Sequence, residues 1–374
     1  MRGPIRVAHV MGHMGSGGVE STVINHYRHV DRDRVQFDFI VNAGSPLTQK
    51  EEIEDLGGRV FVVPGYKALP AYLKACRSLF KREQYAIVHS NVNALSVFPL
   101  RAARDAGVPV RIAHSHSTAD PDERAKTVAK NVLRRFSRTY PTHYAACSNH
   151  AARWLFGDQL VDAGRVHVIH NALDLDSFAF NADSRCAIRG KLAVDDSCLV
   201  LGQVGRLCPQ KNQLFTLKAF AELHKVRPNS LLVLVGGGEQ DDEVRPEIGR
   251  LGLSGAVRLT GVRQNVGDFY SAFDALLLPS LYEGLGMVAV EAQVSGLPVF
   301  ASDRVPSESV VCPDLVRFLG IDEPHDWATS LAEYQPPQER LSRAAEISRC
   351  GYDINDSAEA LCCWYEQLAA TVLH

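Results

Sequence analysis

Short apolar segments rich in β-branched residues alternate with longer amphipathic stretches in the first half of this 374-residue chain. Short apolar runs are typical of strands, and apolar residues spaced three and four apart are typical of helices. Their alternation predicts a doubly wound, largely parallel α/β sheet. The strands predicted in this half are residues 5–11, 37–41, 60–63, 86–89, 111–115, 143–147 and 166–169.

The same pattern starts again after residues 170–174. Continuous apolar runs such as residues 231–235 suit strands that are covered on both faces. The chain is therefore predicted to hold two Rossmann-like α/β domains, residues 1–170 and 171–354. The second set of strands is predicted at residues 199–204, 231–235, 257–260, 275–278 and 299–301, and a final helix at 355–373.

Length and composition agree with this division. The chain is too long for one ordinary core, and its 46% hydrophobic and 22% charged residues are typical of soluble globular proteins. No apolar run approaches the ~18 residues that a membrane span needs. Arg6 and His9 interrupt the first apolar segment, which we interpret as a strand and not as a secretory signal. The nine cysteines lack CxxC spacing, which disfavours a disulfide framework or a zinc site and fits a reducing cytoplasm.

The net charge of −3 conceals an asymmetry between the halves. Residues 1–170 have 23 Lys and Arg against 15 Asp and Glu, whereas the rest has 17 against 28. Four basic residues also recur every fourth position, which predicts one broad basic face on a helix. The hypothesis is an anionic membrane surface, and the alternative is an ordinary solvated helix face; no nucleic-acid partner is expected. These residues are Lys126, Lys130, Arg134 and Arg138.

A glycine-rich turn, residues 12–18, follows the first predicted strand and precedes a helix. Glycines there let the backbone approach a ligand, and a helix N-terminus favours anions. The spacing is not GxGxxG, and the second strand ends in Asn42 without an acidic residue to bind a ribose, which disfavours a dinucleotide dehydrogenase. A plain tight turn remains an equal alternative.

Strand-end signals in the second half are more specific. Arg206 and Lys211 follow the strand at 199–204, where fixed cations could stabilise a departing nucleoside diphosphate. Two surface cations beside a turn are the alternative interpretation. Further candidates follow the next two strands: Gly236, Val262 and Arg263.

Glu283 and Glu291 form the strongest pattern in the chain, after the strand at 275–278. A helix is predicted to begin near Gly286 and Met287, so its first amides could meet phosphate or sugar oxygens. The carboxylate of Glu291, further along that helix, could bind a ribose diol, and Glu283 could reach the sugar. The alternative is a helix with one capping and one solvated glutamate.

Together these segments resemble the retaining GT-B glycosyltransferases of family 4, most of all those of polysaccharide assembly. The resemblance extends over nearly the whole chain, although Leu285-Gly286-Met287 replaces the frequent Leu-Pro and residues 171–174 read Asn-Ala-Leu-Asp instead of Asn-Gly-Ile-Asp. The matching segments are Gly17-Gly18-Val19-Glu20, His116, Gly205-Arg206, Lys211-Asn212, Asn265-Val266 and Glu283 through Glu291.

The resemblance implies a GT-B fold of two facing Rossmann-like domains with a central cleft, and a C-terminal helix, residues 355–374, that packs back on the first domain. It implies an acceptor domain, residues 1–170, and a nucleotide-sugar donor domain, residues 171–354. It also implies roles for individual residues. Catalysis would involve His116, Glu283, Arg206 and Lys211, and donor binding would involve Gly17, Gly18, Arg206, Lys211, Gly236, Val262, Arg263, Leu285, Gly286, Met287 and Glu291.

The implied function is transfer of a sugar, with retention, from a nucleotide-diphosphate donor such as a UDP-sugar to a saccharide or lipid-linked acceptor. The enzyme is expected in the cytoplasm, peripheral on the inner face of the membrane. No metal or other cofactor is expected, because the two DxD sequences, at residues 31–33 and 174–176, lack the strand-end setting of a metal–diphosphate site. A nucleotide-sugar 2-epimerase of the same fold and a non-catalytic nucleotide-sugar-binding protein are the alternatives.

Overall fold

The computed structural model describes residues 3–15, 18–116 and 132–372. The chain divides into two compact units, Met1–Leu173 together with Gly351–His374, and Asp174–Cys350. The boundaries placed from the sequence, after residues 170 and 354, lie within four residues of the observed ones.

A parallel sheet of seven strands, in the order β3-β2-β1-β4-β5-β6-β7, forms the centre of the first unit. The order reverses between β1 and β4, and ligands of such sheets bind outside the carboxyl ends of the strands at this point. The strands are β1 (Ile5–Gly12), β2 (Val35–Asn42), β3 (Arg59–Val63), β4 (Ile87–Ser90), β5 (Val110–Ser115), β6 (His143–Ala146) and β7 (Val166–Val168).

Helices separate most of these strands, as the alternating pattern predicts. Their buried faces pack on the two sides of the sheet in separate apolar clusters. The described helices of this part of the chain are α1 (Gly18–His29), α2 (Lys50–Asp55), α3 (Leu69–Glu83), α4 (Val97–Asp105), α5 (Asn149–Phe156) and α6 (Asp158–Asp162).

The second unit has a parallel six-stranded sheet in the order β10-β9-β8-β11-β12-β13, so its order reverses between β8 and β11. The edge strand β13 was missed by the sequence prediction because its residues are half-buried or exposed and include Arg317, so no apolar run marks it. The strands are β8 (Leu199–Val204), β9 (Ser230–Val235), β10 (Val257–Gly261), β11 (Ala275–Leu278), β12 (Val299–Ser302) and β13 (Val316–Leu319).

Helices again lie between the strands and cover both faces of this sheet. Two parallel α/β domains of Rossmann type are thus present, which confirms the predicted fold class. The helices are α7 (Leu175–Phe178), α8 (Ala182–Leu192), α9 (Gln213–Val226), α10 (Asp241–Arg250), α11 (Val266–Ala272), α12 (Met287–Val294), α13 (Pro324–Glu333) and α14 (Ala344–Ile347).

The last helix, α15 (Ile354–Ala370), belongs to the first unit. The Asp353 carboxylate caps it by accepting from the Asn355 amide at 2.8 Å. Its buried face joins the core around β1 and β2, where the Tyr365 ring meets Phe37 edge-on at 6.1 Å between centroids. Arg34 donates to carboxylates of Glu359 and Glu366 on its outer face.

The predicted basic helix face is only partly described. Lys126 and Lys130 lie outside the described residues. Arg134 is exposed on the helical residues 132–134, whereas Arg138 lies in the turns that follow. The prediction that all four share one helix is therefore wrong for Arg138. In the described ranges, no helix combines the length and the hydropathy that crossing a bilayer requires.

Candidate active site

Two glycine loops interlock at the carboxyl ends of β8 and β9. Gly205 and Gly236 have φ values of 145° and 141°, where side chains are rarely accommodated. A Cβ on Gly236 would lie 1.9 Å from the Gly205 carbonyl oxygen, so only glycine permits this approach. The Gly205 amide in turn donates to Val235 O at 2.9 Å. The loop that presents Arg206 is thus fixed against its neighbour.

Arg206 lies at the rim of this loop. Its Nε donates to Glu239 Oε2 at 2.9 Å, and the two side chains are 71% and 51% exposed. An ion pair so exposed contributes little to stability, typically ~0–1 kcal/mol. The guanidinium is therefore accessible and can exchange Glu239 for an incoming anion.

Lys211 is held more tightly. It ends a 3₁₀ turn, Pro209–Lys211, before α9, and its carbonyl accepts from Gln203 Nε2 at 2.7 Å. Its Nζ lies 2.6 Å from Glu283 Oε1, with side-chain exposures of only 15% and 8%. The pair joins the loop after β8 to the loop after β11, across the point where the strand order reverses.

Glu283 receives further hydrogen bonds. Ser280 Oγ donates to the same Oε1 at 2.7 Å, and Gln210 Nε2 donates to Oε2 at 3.4 Å. A largely buried carboxylate needs such partners, because desolvation penalises its charge. Contacts within the second unit thus orient the predicted sugar-binding glutamate.

The N-terminus of α12 begins where the sequence predicts. Gly286 is the N-cap, with φ 87°, and as a glycine it supplies no side-chain cap. The backbone of buried Leu285, of Gly286 and of Met287 therefore leads into a helix end whose first amides lack intrahelical acceptors. Such an end favours phosphate or a sugar oxygen.

Glu291 lies on α12 one turn beyond Met287 and accepts a hydrogen bond from the Tyr270 hydroxyl at 2.6 Å. Burial raises the pKa of Glu291, while the bond from Tyr270 and the positive charge of Lys211 act in the opposite direction. Its carboxylate is therefore held near Lys211 in surroundings that disfavour its charge, and a hydrogen-bonding ligand would relieve this penalty.

The two residues after β10 form the border of this region. Val262 is 79% exposed, an unusual value for an apolar side chain, and Arg263 is exposed as well. A Cβ on Gly237 would lie 3.4 Å from Val262 Cγ2, so this border lies beside the glycine loop after β9. Both residues are open to a ligand and remain predictions.

The other candidates belong to the first unit. Gly18 is the exposed first residue of α1, and Gly17 lies outside the described residues. His116 follows β5 directly; its Nε2 lies 3.0 Å from Asn91 Oδ1, and its amide donates to Asn93 Oδ1 at 2.7 Å. Burial lowers the pKa of His116 to about 3, so its ring is neutral. His114, two positions earlier, is a buried residue of β5.

Several residues of these constellations were missed from the sequence. Ser280 and Asn91 each follow a buried strand closely, so the rule that found Arg206 could have found them. Gln210 lies beside Lys211 in the loop after β8, so the same rule could have found it, whereas Tyr270 carries no such signal because it lies inside α11 among core residues.

A cavity of about 530 Å³ opens at the amino-terminal ends of β8 and β11, the wrong ends for a ligand of a parallel sheet. Its arginines are engaged in structure: Arg340 donates to Phe273 O at 2.6 Å, and Arg185 pairs with Asp274 at 2.8 Å. They close the C-terminus of α11. In the described part of the chain, no cluster of three His, Cys, Asp or Glu side chains is arranged to bind a metal ion.

Comparison with known proteins gives the family. Residues 16–177 match the model "Glycosyltransferase Family 4", and residues 184–346 match "Glycosyl transferases group 1". EpsF of Bacillus subtilis (strain 168), which is named as a glycosyltransferase, is 36% identical over 372 residues, 95% of each chain.

Two further proteins cover most of the chain. The UDP-Gal:α-D-GlcNAc-diphosphoundecaprenol α-1,3-galactosyltransferase of Escherichia coli is 28% identical over 327 residues, 84% of each chain. The crystal structure of HepE from Anabaena in complex with UDP-glucose has a TM-score of 0.74 at 21% identity, covering 98% of this chain and 99% of that one. With its two Rossmann-type units and these relatives, the chain belongs to the glycosyltransferases of GT-B fold, with a family 4 domain followed by a group 1 domain.

Proposed function

We propose that this glycosyltransferase moves a sugar from a UDP-sugar to a hydroxyl of a saccharide or lipid-linked acceptor, with retention of configuration, in the synthesis of a cell-surface polysaccharide or glycoconjugate. The observation that supports it best is the group at the carboxyl ends of β8 and β11. There Lys211, Glu283 and the uncapped N-terminus of α12 meet, with Arg206 at the rim.

This group suits a nucleoside diphosphate that becomes the leaving group. Lys211 and Arg206 would stabilise the charge that develops on the diphosphate, and preorganised donors of this kind are worth several kcal/mol in a transition state. Glu283, already held by Ser280, would accept from hydroxyl groups of the donor sugar. Glu291, held by Tyr270, would accept from the ribose. His116 of the first unit would contact the transferred sugar, and the Gly18 amide the diphosphate.

Retention of the anomeric configuration is inferred from the resemblance to family 4. In this reaction, the leaving phosphate oxygen takes the proton of the acceptor hydroxyl, so no protein base is required. Turnover would also need no metal ion, because the side-chain cations of Arg206 and Lys211 supply the positive charge that a divalent ion supplies elsewhere.

Two relatives support the substrate class. HepE is crystallised with UDP-glucose, and the E. coli relative is named for transfer from UDP-Gal to a sugar on diphosphoundecaprenol. A lipid-linked acceptor would place the enzyme at the inner face of the membrane. The first unit would provide the contact, through Lys126, Lys130, Arg134 and Arg138, of which Arg134 and Arg138 are exposed.

The test begins with a thermal-shift screen of UDP-, GDP-, ADP- and TDP-sugars, because a ligand of the native state stabilises it. The best donor is then incubated with and without a diphospholipid-linked N-acetylglucosamine acceptor, and the anomeric configuration of the product is read by NMR. Transfer with retention is expected. Release of an epimeric UDP-sugar without acceptor would show an epimerase instead, and absence of any shift would contradict nucleotide-sugar binding.

A further inference from the structure

The amide of Asn91 lies between two buried histidines at the carboxyl ends of β1 and β4. Its Oδ1 is 3.0 Å from His116 Nε2, and its Nδ2 is 3.2 Å from His9 Nδ1. All three residues are at least nine-tenths buried. Since neither ring can exchange this partner for water, the orientation of one amide determines how both imidazoles carry their protons.

The orientation of the Asn91 amide follows from two neighbouring atoms that can only accept hydrogen bonds. Its Nδ2 also faces His89 O and Met11 Sδ, each at 3.5 Å. The reversed amide would set Oδ1 against a carbonyl oxygen and a thioether. The amide oxygen therefore points at His116, and a neutral His116 must carry its proton on Nε2 in order to donate to it.

In this tautomer Nδ1 of His116 carries no hydrogen and can only accept a hydrogen bond. Among the described residues this buried nitrogen has no hydrogen-bond partner. An unpartnered acceptor on a candidate site residue can be satisfied by a ligand that supplies a donor.

The same amide sets a chain of hydrogen bonds through the first unit. Because Asn91 donates to His9 Nδ1, His9 carries its proton on Nε2 and can donate to the Tyr365 hydroxyl at 3.3 Å. Tyr365 then donates to His89 Nδ1 at 2.6 Å, and His89 Nε2 to His114 Nδ1 at 2.9 Å. Each link agrees with one tautomer for each ring, and the chain ends at His114 Nε2, a buried atom that has no hydrogen-bond partner among the described residues.

We propose that Asn91 is a positioning residue that holds His116 as the Nε2–H tautomer, so that Nδ1 accepts a hydrogen bond from a hydroxyl of the transferred sugar. The assignment of the hydroxyl to the donor sugar rests on the proposed function. The tautomer itself does not, because it follows from contacts within the first unit.

The surroundings keep His116 neutral. Burial is the main cause of its low pKa, and a second cause is the nearby ring of His26. No carboxylate is among the causes that shift it. The titratable groups around it come from β1, α1, β4, β5 and α15: His9, His26, His89, His114 and Tyr365.

The tautomer can be read directly by NMR on full-length protein labelled with ¹⁵N-histidine, with the His116 signals identified by their loss in His116→Asn. We expect a protonated Nε2 and a bare Nδ1 in the free wild type. UDP-glucose or UDP-galactose, whichever binds by calorimetry, should move the Nδ1 signal, and UDP alone should not. A protonated Nδ1 in the free protein would overturn the proposal, as would a bound UDP-sugar that leaves Nδ1 unmoved.

Variants test the role of Asn91. In Asn91→Asp, a carboxylate beside His116 raises the pKa of the ring. We expect the kcat/KM of sugar transfer to fall as the pH falls between about 8 and 5, an acid limb that wild type lacks. In Asn91→Leu, we expect a mixture of tautomers and a lower kcat with a smaller change in KM. A pH profile parallel to wild type in Asn91→Asp would overturn the positioning role.

Two substitutions of His116 show which ring nitrogen contacts the sugar. In His116→Asn the amide lies where Nδ1 was, whereas in His116→Gln it reaches the position of Nε2. We expect the Asn variant to retain at least about tenfold more kcat, and the reverse order would overturn the proposal. Unchanged UDP affinity, with a cooperative thermal transition, shows that each variant is folded. If wild type binds none of these nucleotides, the proposed function fails, and the tautomer in the free protein still decides the role of Asn91.

Discussion

Lys211 Nζ lies 2.6 Å from Glu283 Oε1, and this ion pair joins the carboxyl ends of β8 and β11. Both side chains are largely buried, so the ammonium can turn to a diphosphate only if Glu283 keeps other donors. Ser280 and Gln210 provide them. The pair therefore preorganises a cation for an incoming anion, while the carboxylate remains in place for the sugar.

Lys211→Ala and Arg206→Ala should differ in stability but not in the direction of their effect on turnover. Each should lose about 2–4 kcal/mol of transition-state stabilisation in kcat/KM, the scale of one preorganised donor. Lys211→Ala also leaves a buried carboxylate unpaired, which lowers the free energy of unfolding by up to about 3–5 kcal/mol. Exposed Arg206 should change it by no more than about 0.5 kcal/mol.

Steady-state kinetics and urea unfolding of both variants give the two quantities. Exposed Arg245 on α10, replaced by Ala, serves as the matched control for loss of a cation and should leave turnover unchanged. A loss below tenfold in both site variants would contradict their role at the diphosphate.

Substitutions of Glu283 and Glu291 should have different effects on the affinities for UDP and for a UDP-sugar, measured by calorimetry. Glu291→Ala should weaken UDP and UDP-sugar alike, because a ribose contact is made to both ligands. Glu283→Ala should weaken the UDP-sugar and hardly affect UDP. Equal losses for both ligands in the Glu283 variant would refute this division. Tyr270→Phe, which removes only the hydroxyl on Glu291, should show a smaller loss in the same direction as Glu291→Ala.

Glu291 also predicts a dependence of stability on pH. Because its pKa in the folded protein is raised above the ordinary value of 4.5, folding favours the protonated carboxyl. Its contribution to stability is thus complete below pH 4.5 and is lost as the pH rises through the raised pKa. Glu291→Gln should therefore melt at a higher temperature than wild type near pH 8 and bind UDP more weakly. Equal or lower Tm across pH 4.5–8 would show that burial does not penalise this carboxylate.

Turnover should survive chelation. Purified enzyme dialysed against EDTA should transfer sugar at an unchanged rate, because Lys211 and Arg206 provide the positive charge at the diphosphate. Loss of activity that Mg²⁺ or Mn²⁺ restores would contradict this and would direct attention to the acidic pairs at residues 31–33 and 174–176.

The first unit should bind vesicles rich in anionic lipid, with about 1 kcal/mol per basic residue near the surface. Raising the salt to about 0.5 M should release it, because screening shortens the attraction. Gln at Lys126, Lys130, Arg134 and Arg138 should abolish co-sedimentation. Gln at Lys74, Arg77 and Lys81, exposed on α3, is the matched control. Binding that is lost only in the control would place the contact on α3.

Strands covered on both faces were predictable within one or two residues, because continuous apolar runs such as β9 admit few alternatives. The strand-end rule likewise located Arg206, Lys211 and Glu283. It could not pair them: Lys211 and Glu283 are 72 positions apart, and their contact depends on the strand order. β13 was missed because an edge strand needs no apolar run, and Arg138 was misplaced because spacing alone does not show where a helix ends.

Because of helix α15, the two units differ in when all of their residues have been synthesised. The second unit is one continuous stretch of the chain, so its core needs no segment from outside that stretch. The first unit precedes it, yet the 17-residue helix that covers part of the first unit's core follows the second unit in sequence. Until that helix arrives, Phe37 and the rings of His9 and His89 lack their partner Tyr365. The amino-terminal half should therefore mature last and should depend most on chaperones.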